Sequence, residues 1–139
     1  MVKLEPEMEF ELYDVMEHVN IYGRDLENKL EKLIAELLKD HGVYNPENMG
    51  GIVIPAGALH WECESGSKHE IVYCHYLADF EVFDKSGDVI IARGTVYGMA
   101  VPVDENTLEI INMFVKLYID NIEMYRKLLS GGRLQAVLQ

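Results

Sequence analysis

Residues 69–103 read HEIVYCHYLADFEVFDKSGDVIIARGTVYGMAVPV, and this stretch decides the fold. Val, Ile, Tyr and Phe dominate both halves, and these residues favour a pleated, half-buried strand. The polar break at residues 85–88 contains Gly87, which can adopt the positive φ of a tight hairpin turn. The stretch therefore predicts a long β-hairpin, with strands over residues 69–84 and 88–103.

Two further strands are predicted upstream of this hairpin. The apolar run at residues 52–54 is short and ends at Pro55, which confines it to an edge or to a bulge. Residues 58–65 alternate apolar and polar side chains and lead into the turn-forming sequence SGSK at 65–68. Together the four strands predict an antiparallel meander.

Helices are predicted on the N-terminal side of the meander. Residues 5–19 place apolar side chains at helical spacing. Met8, Phe10 and Leu12 also alternate as in a strand, but only the helical period continues beyond Leu12, so a helix is predicted. Residues 23–42, GRDLENKLEKLIAELLKDHG, predict a clearer amphipathic helix that ends in a left-handed glycine cap.

The C-terminal part predicts one long helix over residues 104–132. Asp104 is a good N-cap, and apolar residues recur in steps of three and four from Leu108 to Leu129. A helix of this length exceeds what a small sheet covers, so we expect part of it to meet another helix or a second copy of the chain. The tail at residues 133–139 is expected to dock on a neighbouring subunit or to fray.

The predicted architecture is a single α+β domain over residues 1–139. It consists of a four-stranded antiparallel meander sheet flanked by N-terminal helices and one long C-terminal helix. The length suits one domain with its own core. Because the helices are separated from the strands along the chain, a doubly wound parallel sheet is not expected.

The chain is strongly acidic, with 24 acidic residues against 12 basic ones and a formal net charge of −12. Affinity for nucleic acids depends largely on Lys and Arg side chains that displace counterions, so direct binding to DNA, RNA or anionic lipid is disfavoured. A surface of this charge either keeps the protein in solution, or meets a basic partner or imitates nucleic acid.

The sequence predicts a cytoplasmic protein, because we find neither the apolar run of a signal peptide nor a segment long enough to span a membrane. The two cysteines, Cys63 and Cys74, do not make a disulfide framework. In the cytosol both thiols are expected to stay reduced, as small apolar side chains of a buried strand face.

The segment ALHWECESGSKHEIVYCHY, residues 58–76, contains the main cluster of chemically interesting side chains. A hairpin with a two-residue loop would place Glu62 opposite Ile71 and gather histidines and carboxylates on one face. Zinc and other transition metals prefer these ligand types, but the spacing matches no zinc motif. Acid–base catalysis by His60, Glu62 and His75 and an ordinary solvated or interface face are the alternatives. The candidate metal ligands are His60, Glu62 and His75.

Eight tyrosines in 139 residues suit a pocket between the sheet and the helices, since an aromatic ring with a polar tip can line such a site. Arg93 is nearly alone as a basic residue of the predicted sheet. It is expected to pair with Asp79 or Glu81 across the hairpin, or else to anchor an anionic ligand. The candidate ligand-binding residues are Arg93, Tyr73, Tyr97, Tyr118 and Trp61.

Three functions of different classes are open from the sequence, and no residue is assigned as catalytic. The first is a non-enzymatic, acidic, homo-oligomeric binding module that acts through protein–protein interaction, with itself or a basic protein as partner. The second is a protein that binds or sequesters a small molecule in an aromatic-lined pocket. The third is a small metal-dependent hydrolase, with zinc held on the face of His60, Glu62 and His75.

Overall fold

The computed structural model describes residues 2–132 and contains one antiparallel eight-stranded sheet and two helices. The elements in chain order are β1 (Glu7–Leu12), β2 (Glu17–Asn20), α1 (Asp25–Asp40), β3 (Met49–Val53), β4 (Leu59–Ser65), β5 (Ile71–Asp84), β6 (Ile90–Asp104), β7 (Thr107–Ile110), β8 (Met113–Tyr118) and α2 (Ile122–Leu129). The predicted four-stranded sheet with a long C-terminal helix is therefore wrong. The sheet has twice as many strands, and both helices are short.

The eight strands form a sheet that is only five strands wide, because in three places two consecutive strands lie end to end along one neighbouring strand or line of strands. Its order is β1-β8-β6-β5-β3, with β4 next to β3 along the same side of β5. In the same way β2 continues the line of β1, and β7 continues the line of β8. The long strands β5 and β6 occupy the centre, and α1 connects the two opposite edges.

One face of the sheet, which we call the inner face, forms the core with α1. Every second residue of β5 from Cys74 to Asp84 points to this face and is buried. The apolar stripe of α1, which includes Leu30, Ile34 and Leu38, is buried in the same core, and the helix packs against β1, β2 and β3. We call the opposite side of the sheet the outer face.

Two aromatic residues of β5 lie over two glycines of β6 on the inner face. Phe80 is directly opposite Gly94, and Tyr76 is directly opposite Gly98. Because neither glycine has a side chain, each ring can extend across β6 towards the next strand, and the Tyr76 hydroxyl donates a 2.7 Å hydrogen bond to the Asn112 carbonyl oxygen. The centre of the core is thus built from cross-strand aromatic–glycine pairs.

The turn between β5 and β6 is organised by the buried carboxylate of Asp84. Its Oδ1 atom accepts 3.0 Å hydrogen bonds from the backbone N–H groups of Asp88 and Val89, and its Oδ2 atom accepts one of 2.8 Å from the Ser86 hydroxyl. Burial alone would raise the pKa of Asp84, but these hydrogen bonds outweigh it and hold the pKa below its ordinary value.

Two predicted elements are confirmed by the structure. The long hairpin has its turn at the predicted residues, and Gly87 adopts a φ of +82° there. Helix α1 lies within the predicted residues 23–42 and is followed by Gly42 at a φ of +74°. Both predictions rest on local signals: β-branched runs around a polar turn, and an apolar stripe ended by a glycine.

Residues 5–19 contain strand β1 and all but the last residue of β2, so the helix predicted there is wrong. Phe10 is buried while its neighbours Glu9 and Glu11 are exposed, which is the alternation of a strand. Met8 and Leu12 share a face in either structure, so their spacing did not separate the two. This segment is a strand because all of β1 pairs with β8. The prediction could not include this pairing, because the β8 segment was itself predicted to be helical.

The helix predicted over residues 104–132 is also wrong, apart from its last third. Asp104 caps a turn and not a helix, because its Oδ1 atom accepts a 2.9 Å hydrogen bond from the Asn106 N–H between β6 and β7. The short helix α2 begins after Asn121, whose side chain accepts from the Met124 N–H. The reason for the error is that β8 carries apolar or aromatic side chains on both faces, with Phe114 and Tyr118 on the outer face, so its sequence fits a helical period as well as a strand. The predicted role of residues 133–139 lies outside the described residues.

We expect Gly94→Ala to destabilise the fold. A Cβ atom at this position would overlap the Phe80 ring and lie 2.5 Å from the Lys116 carbonyl oxygen. Overpacking of this kind costs about 1–3 kcal/mol in the free energy of unfolding. Gly51→Ala in β3 is the matched control, because a Cβ there meets nothing within 4 Å. Urea denaturation measures both variants, and equal unfolding midpoints would contradict this packing.

We expect Asp84→Asn to lower the stability at neutral pH by roughly 1–2 kcal/mol, because a neutral amide accepts weaker hydrogen bonds than a carboxylate. The pKa of Asp84 is lower in the folded protein. Its contribution is therefore complete above the unfolded-state pKa of about 3.9 and is lost as the pH falls through the folded-state value. Urea denaturation over a pH series checks this: the two proteins should converge in acid, and a difference independent of pH would count against it.

Candidate binding face

Five side chains on the outer face lie in one transverse row across the sheet. His60 of β4 is opposite Leu77 of β5, Leu77 is opposite Tyr97 of β6, Tyr97 is opposite Phe114 of β8, and Phe114 is opposite Glu11 of β1. We call the three central residues, Leu77, Tyr97 and Phe114, the apolar row. It is a direct consequence of strand register, since residues opposite one another on paired strands share a face.

The apolar row is open to solvent at its centre and is extended at one end by Tyr13. Leu77 is 48% exposed and Tyr97 is 38% exposed. The Phe114 ring stacks on Tyr97 at 5.3 Å between centroids and meets Tyr13 edge-on at 5.7 Å. We call Tyr13, Tyr97 and Phe114 the aromatic cluster. The hydrogen bond that Tyr13 donates to Glu11 raises the pKa of the phenol, which therefore stays protonated.

The next row of the outer face is polar and internally paired. Asp79, Thr95, Lys116 and Glu9 lie opposite one another in that order. Thr95 donates a 3.1 Å hydrogen bond to Asp79, and the Lys116 Nζ atom lies 3.6 Å from a Glu9 carboxylate oxygen. The apolar row is therefore bordered on this side by side chains that already satisfy one another.

A groove runs along the other side of the apolar row. It consists of two open depressions, of about 350 Å³ and 470 Å³, that share His75, Tyr76 and Leu77. The first continues over β4 to His60 and Glu62, and the second continues over β6 and β8 to the aromatic residues. The groove thus crosses the sheet from one edge strand to β8.

The floor of the groove is held by Asn112, at the break between β7 and β8. Its carbonyl oxygen accepts the hydrogen bond from Tyr76, and its side-chain Oδ1 atom accepts a 2.9 Å bond from the Met99 N–H. Burial raises the pKa of Tyr76 far above its ordinary value, so the hydroxyl remains a donor. These bonds stabilise the point at which β6 changes its partner from β8 to β7.

The three candidate metal ligands lie on the outer face but do not form a metal site. Glu62 is directly opposite His75, whereas His60 is opposite Leu77. Within residues 2–132, no three His, Cys, Asp or Glu side chains come together as a possible metal site. The predicted pairing of Glu62 with Ile71 is wrong by four residues, because the hairpin loop is longer than two residues. Since the shift is even, it leaves His60, Glu62 and His75 on their predicted common face.

The cysteines expected to be reduced are joined in a disulfide. Cys63 and Cys74 are directly opposite each other in the observed register, with 3.9 Å between their Cα atoms. The register predicted from the two-residue loop placed them four residues apart in the ladder and so concealed the pair. Cys74 is buried as expected, but Cys63 is exposed, because nearly all of β4 lies outside the core.

The candidate ligand-binding residues are distributed over both faces and do not line one pocket. Tyr97 lies in the apolar row, and Tyr73 contacts the His75 ring edge-on in the neighbouring row. Trp61 belongs to the inner-face register and is 36% exposed at the edge strand. No pocket between sheet and helices brings these aromatic residues together in the described part of the chain.

Arg93 and Tyr118 share a separate depression near Asp79 and Glu81. Arg93 is directly opposite Glu81, as the hairpin predicts. However, the carboxylate nearest to its guanidinium is that of Asp120, at 3.6 Å, and both side chains of this ion pair are largely exposed. The expected pairing of Arg93 with Asp79 or Glu81 is therefore replaced by one with the loop that follows β8.

Sequence reasoning missed three residues of this face: Leu77, Phe114 and Tyr13. The alternation of β5 already puts Leu77 on the side opposite Tyr76 and Phe80, and this signal was available. Phe114 and Tyr13 were missed because their segments were predicted to be helices, so neither residue was considered as part of a sheet face.

Comparisons of the chain with protein-family models, with curated proteins and with solved structures gave no match. Across residues 2–132, neither helix has the length and apolar character needed to cross a membrane. The function therefore has to be inferred from the geometry of the outer face.

We expect a thiol-reactive reagent to label neither cysteine in the unfolded, unreduced protein, and to label both after reduction. The reason is that Cys63 and Cys74 are paired with each other. Mass spectrometry of the labelled protein measures the outcome. Cys63→Ser is the control, since it leaves Cys74 unpaired and labelled once. Labelling of the unreduced protein at both positions would show that the disulfide does not form.

Proposed function

We propose that this protein is a non-enzymatic binding module that holds a basic protein partner on the outer face of its sheet. The observation that carries the proposal is the apolar row. Leu77, Tyr97 and Phe114 form a strip across three paired strands, and the strip is open to solvent in the part of the chain that the structure describes. Contiguous apolar surface bordered by polar residues is typical of interaction sites.

The charges around the strip support a basic partner. Carboxylates lie near both ends of the apolar row: Glu11 on β1 is opposite Phe114, and Glu62 on β4 lines the groove together with His60. Two basic side chains of the same face, Lys116 in the adjacent row and Arg93 in the row beyond it, each lie 3.6 Å from a carboxylate and so contribute little free positive charge. With a net charge of −12 over the whole chain, the protein attracts and orients a positively charged partner.

The shape of the groove supports a protein rather than a small molecule as the ligand. Pockets for small molecules bury most of the ligand surface, whereas the two depressions are open along the sheet. A segment of a partner protein can follow the groove across four strands, a distance of roughly 14 Å at the usual strand spacing. Binding of a small molecule and metal-dependent hydrolysis have no comparable observation in their favour.

Self-association stays a prediction from the sequence. Its main argument was the long C-terminal helix, which the structure replaces with strands β7 and β8 and a short helix. Two outer faces placed against each other would also bring their carboxylates together, and like charges oppose such contact. We therefore propose a basic partner as the occupant of the face, and a second copy is an outcome that the experiment below can detect.

The cytoplasmic location also stays a prediction. The Cys63–Cys74 disulfide counts against it, because thiols in the cytosol are generally kept reduced.

The test uses a short fluorescent peptide of alternating arginine and leucine, compared with one of alternating glutamate and leucine. We expect the basic peptide to bind and salt to weaken the binding, because salt screens the charges of both molecules. Leu77→Ser should weaken binding about tenfold, which corresponds to the loss of one central apolar contact. Fluorescence anisotropy measures the affinity.

Val72→Ser is the matched control, since Val72 lies on the other face of the same strand and is 49% exposed against 48% for Leu77. It should leave peptide binding unchanged. Equal losses in the two variants, or equal binding of the acidic peptide, would overturn the proposal. Light scattering on the same samples reports the mass: a dimer that Leu77→Ser dissociates would assign the face to a second copy instead.

A further inference from the structure

The aromatic cluster has the composition of a site for a cation. Tyr13, Tyr97 and Phe114 come from three different strands or their ends and meet within ring-to-ring contact on an otherwise open sheet face. Tyr13 is 58% exposed and Tyr97 is 38% exposed, so parts of both rings remain accessible to a ligand. Aromatic rings carry partial negative charge on their faces and attract cations placed over them.

A carboxylate stands directly beside these rings. Glu11 is opposite Phe114 in the β1–β8 pairing, and its Oε2 atom accepts the 2.9 Å hydrogen bond from the Tyr13 hydroxyl. This bond places the carboxylate beside the Tyr13 hydroxyl, and among the described residues the Oε1 atom accepts no hydrogen bond and can accept one from a ligand. The nearest basic side chain of the adjacent row, Lys116, is directed to Glu9.

The link between β1 and β2 determines the position of Tyr13. Asp14 and Met16 both adopt left-handed backbone conformations, with φ of 54° and 56°, and the Val15 N–H between them donates a 3.1 Å hydrogen bond to the Ile111 carbonyl oxygen. Such conformations are unfavourable for non-glycine residues and persist where the surrounding structure imposes them. In this conformation of the chain, the ring of Tyr13 lies against the ring of Phe114.

We propose that the aromatic cluster and Glu11 bind the guanidinium group of an arginine side chain from the partner protein. A planar guanidinium can stack on an aromatic ring and donate hydrogen bonds to a carboxylate at the same time, and a lysine ammonium cannot stack in this way. The inference rests on the proposed function, because it identifies which part of a basic partner the outer face recognises. The leucine-type side chains of the same partner would lie along the groove beside Leu77.

The test uses acetyl-arginine amide as the probe, with acetyl-citrulline amide as an uncharged probe of the same shape and acetyl-lysine amide (free side-chain amine) as a second cation. NMR titration, followed on the aromatic resonances, measures each affinity. We expect arginine to bind more tightly than lysine, and citrulline to bind at least severalfold more weakly than arginine. Equal affinities for arginine and citrulline would overturn the proposal, since charge would then play no part.

Four variants separate the contributions of ring and carboxylate. Tyr13→Leu and Glu11→Gln should each weaken arginine binding by about two- to fivefold, as expected for exposed cation–π and ion-pair contacts. Tyr13→Phe should retain most of the affinity, because it keeps the ring and loses only the hydroxyl. Tyr22→Leu is the matched control, since Tyr22 is an exposed tyrosine (66%) outside the sheet. If Tyr22→Leu weakens binding as much as Tyr13→Leu, the proposed site is wrong.

The arginine–leucine peptide distinguishes this inference from the proposed function. Loss of peptide binding in Leu77→Ser together with unchanged binding in Tyr13→Leu and Glu11→Gln would overturn the arginine site and leave the binding face intact. Unchanged binding in Leu77→Ser would overturn the binding face itself, even if the aromatic cluster still binds acetyl-arginine amide. Loss in all three variants, with Val72→Ser and Tyr22→Leu unaffected, supports both.

Discussion

The pairing of β5 with β6 is the constraint on which the rest of the structure depends. It places Phe80 over Gly94 and Tyr76 over Gly98, so that two aromatic rings lie against the central strand, and the Tyr76 hydroxyl reaches Asn112 between β7 and β8. A one-residue slip would move every ring to the outer face and leave the glycines opposite other side chains. The register is therefore fixed by shape as well as by hydrogen bonds, and the edge strands assemble around it.

The same register also creates the outer face that we propose as a binding face. When Tyr76 and Phe80 point inward, Leu77 must point outward, and its cross-strand partners Tyr97 and Phe114 follow on the same face. The aromatic residues inside stabilise the fold, and those outside cannot contribute to that core. A protein with this net charge could have carried polar residues at such positions, and their apolar character supports the proposed partner.

Asn112 connects the core with this face. Its carbonyl group accepts from the buried Tyr76 hydroxyl, while its side chain bonds the Met99 backbone at the floor of the groove. Asp84 has a similar role at the end of the sheet, where its carboxylate accepts hydrogen bonds from backbone N–H groups of the turn between β5 and β6. In both places a polar side chain satisfies backbone groups at an irregularity, which lets the two longest strands bend or turn without unpaired groups.

The sequence by itself determined the features that depend on neighbouring residues. These are the long hairpin with its turn at Gly87, helix α1 with its buried stripe, the strong negative charge, and the division of the candidate residues around the β4–β5 turn between two faces. The strands β1, β2, β7 and β8 could not be told from helices by sequence, because their apolar spacing fits the helical period as well as the strand period. Hydrogen bonds to strands distant in sequence decide between the two, and only the tertiary structure shows those bonds. The register between strands pairs Cys63 with Cys74 and aligns Leu77, Tyr97 and Phe114. Alternation along a single strand shows which face a residue is on but does not show which residue of the next strand is opposite it.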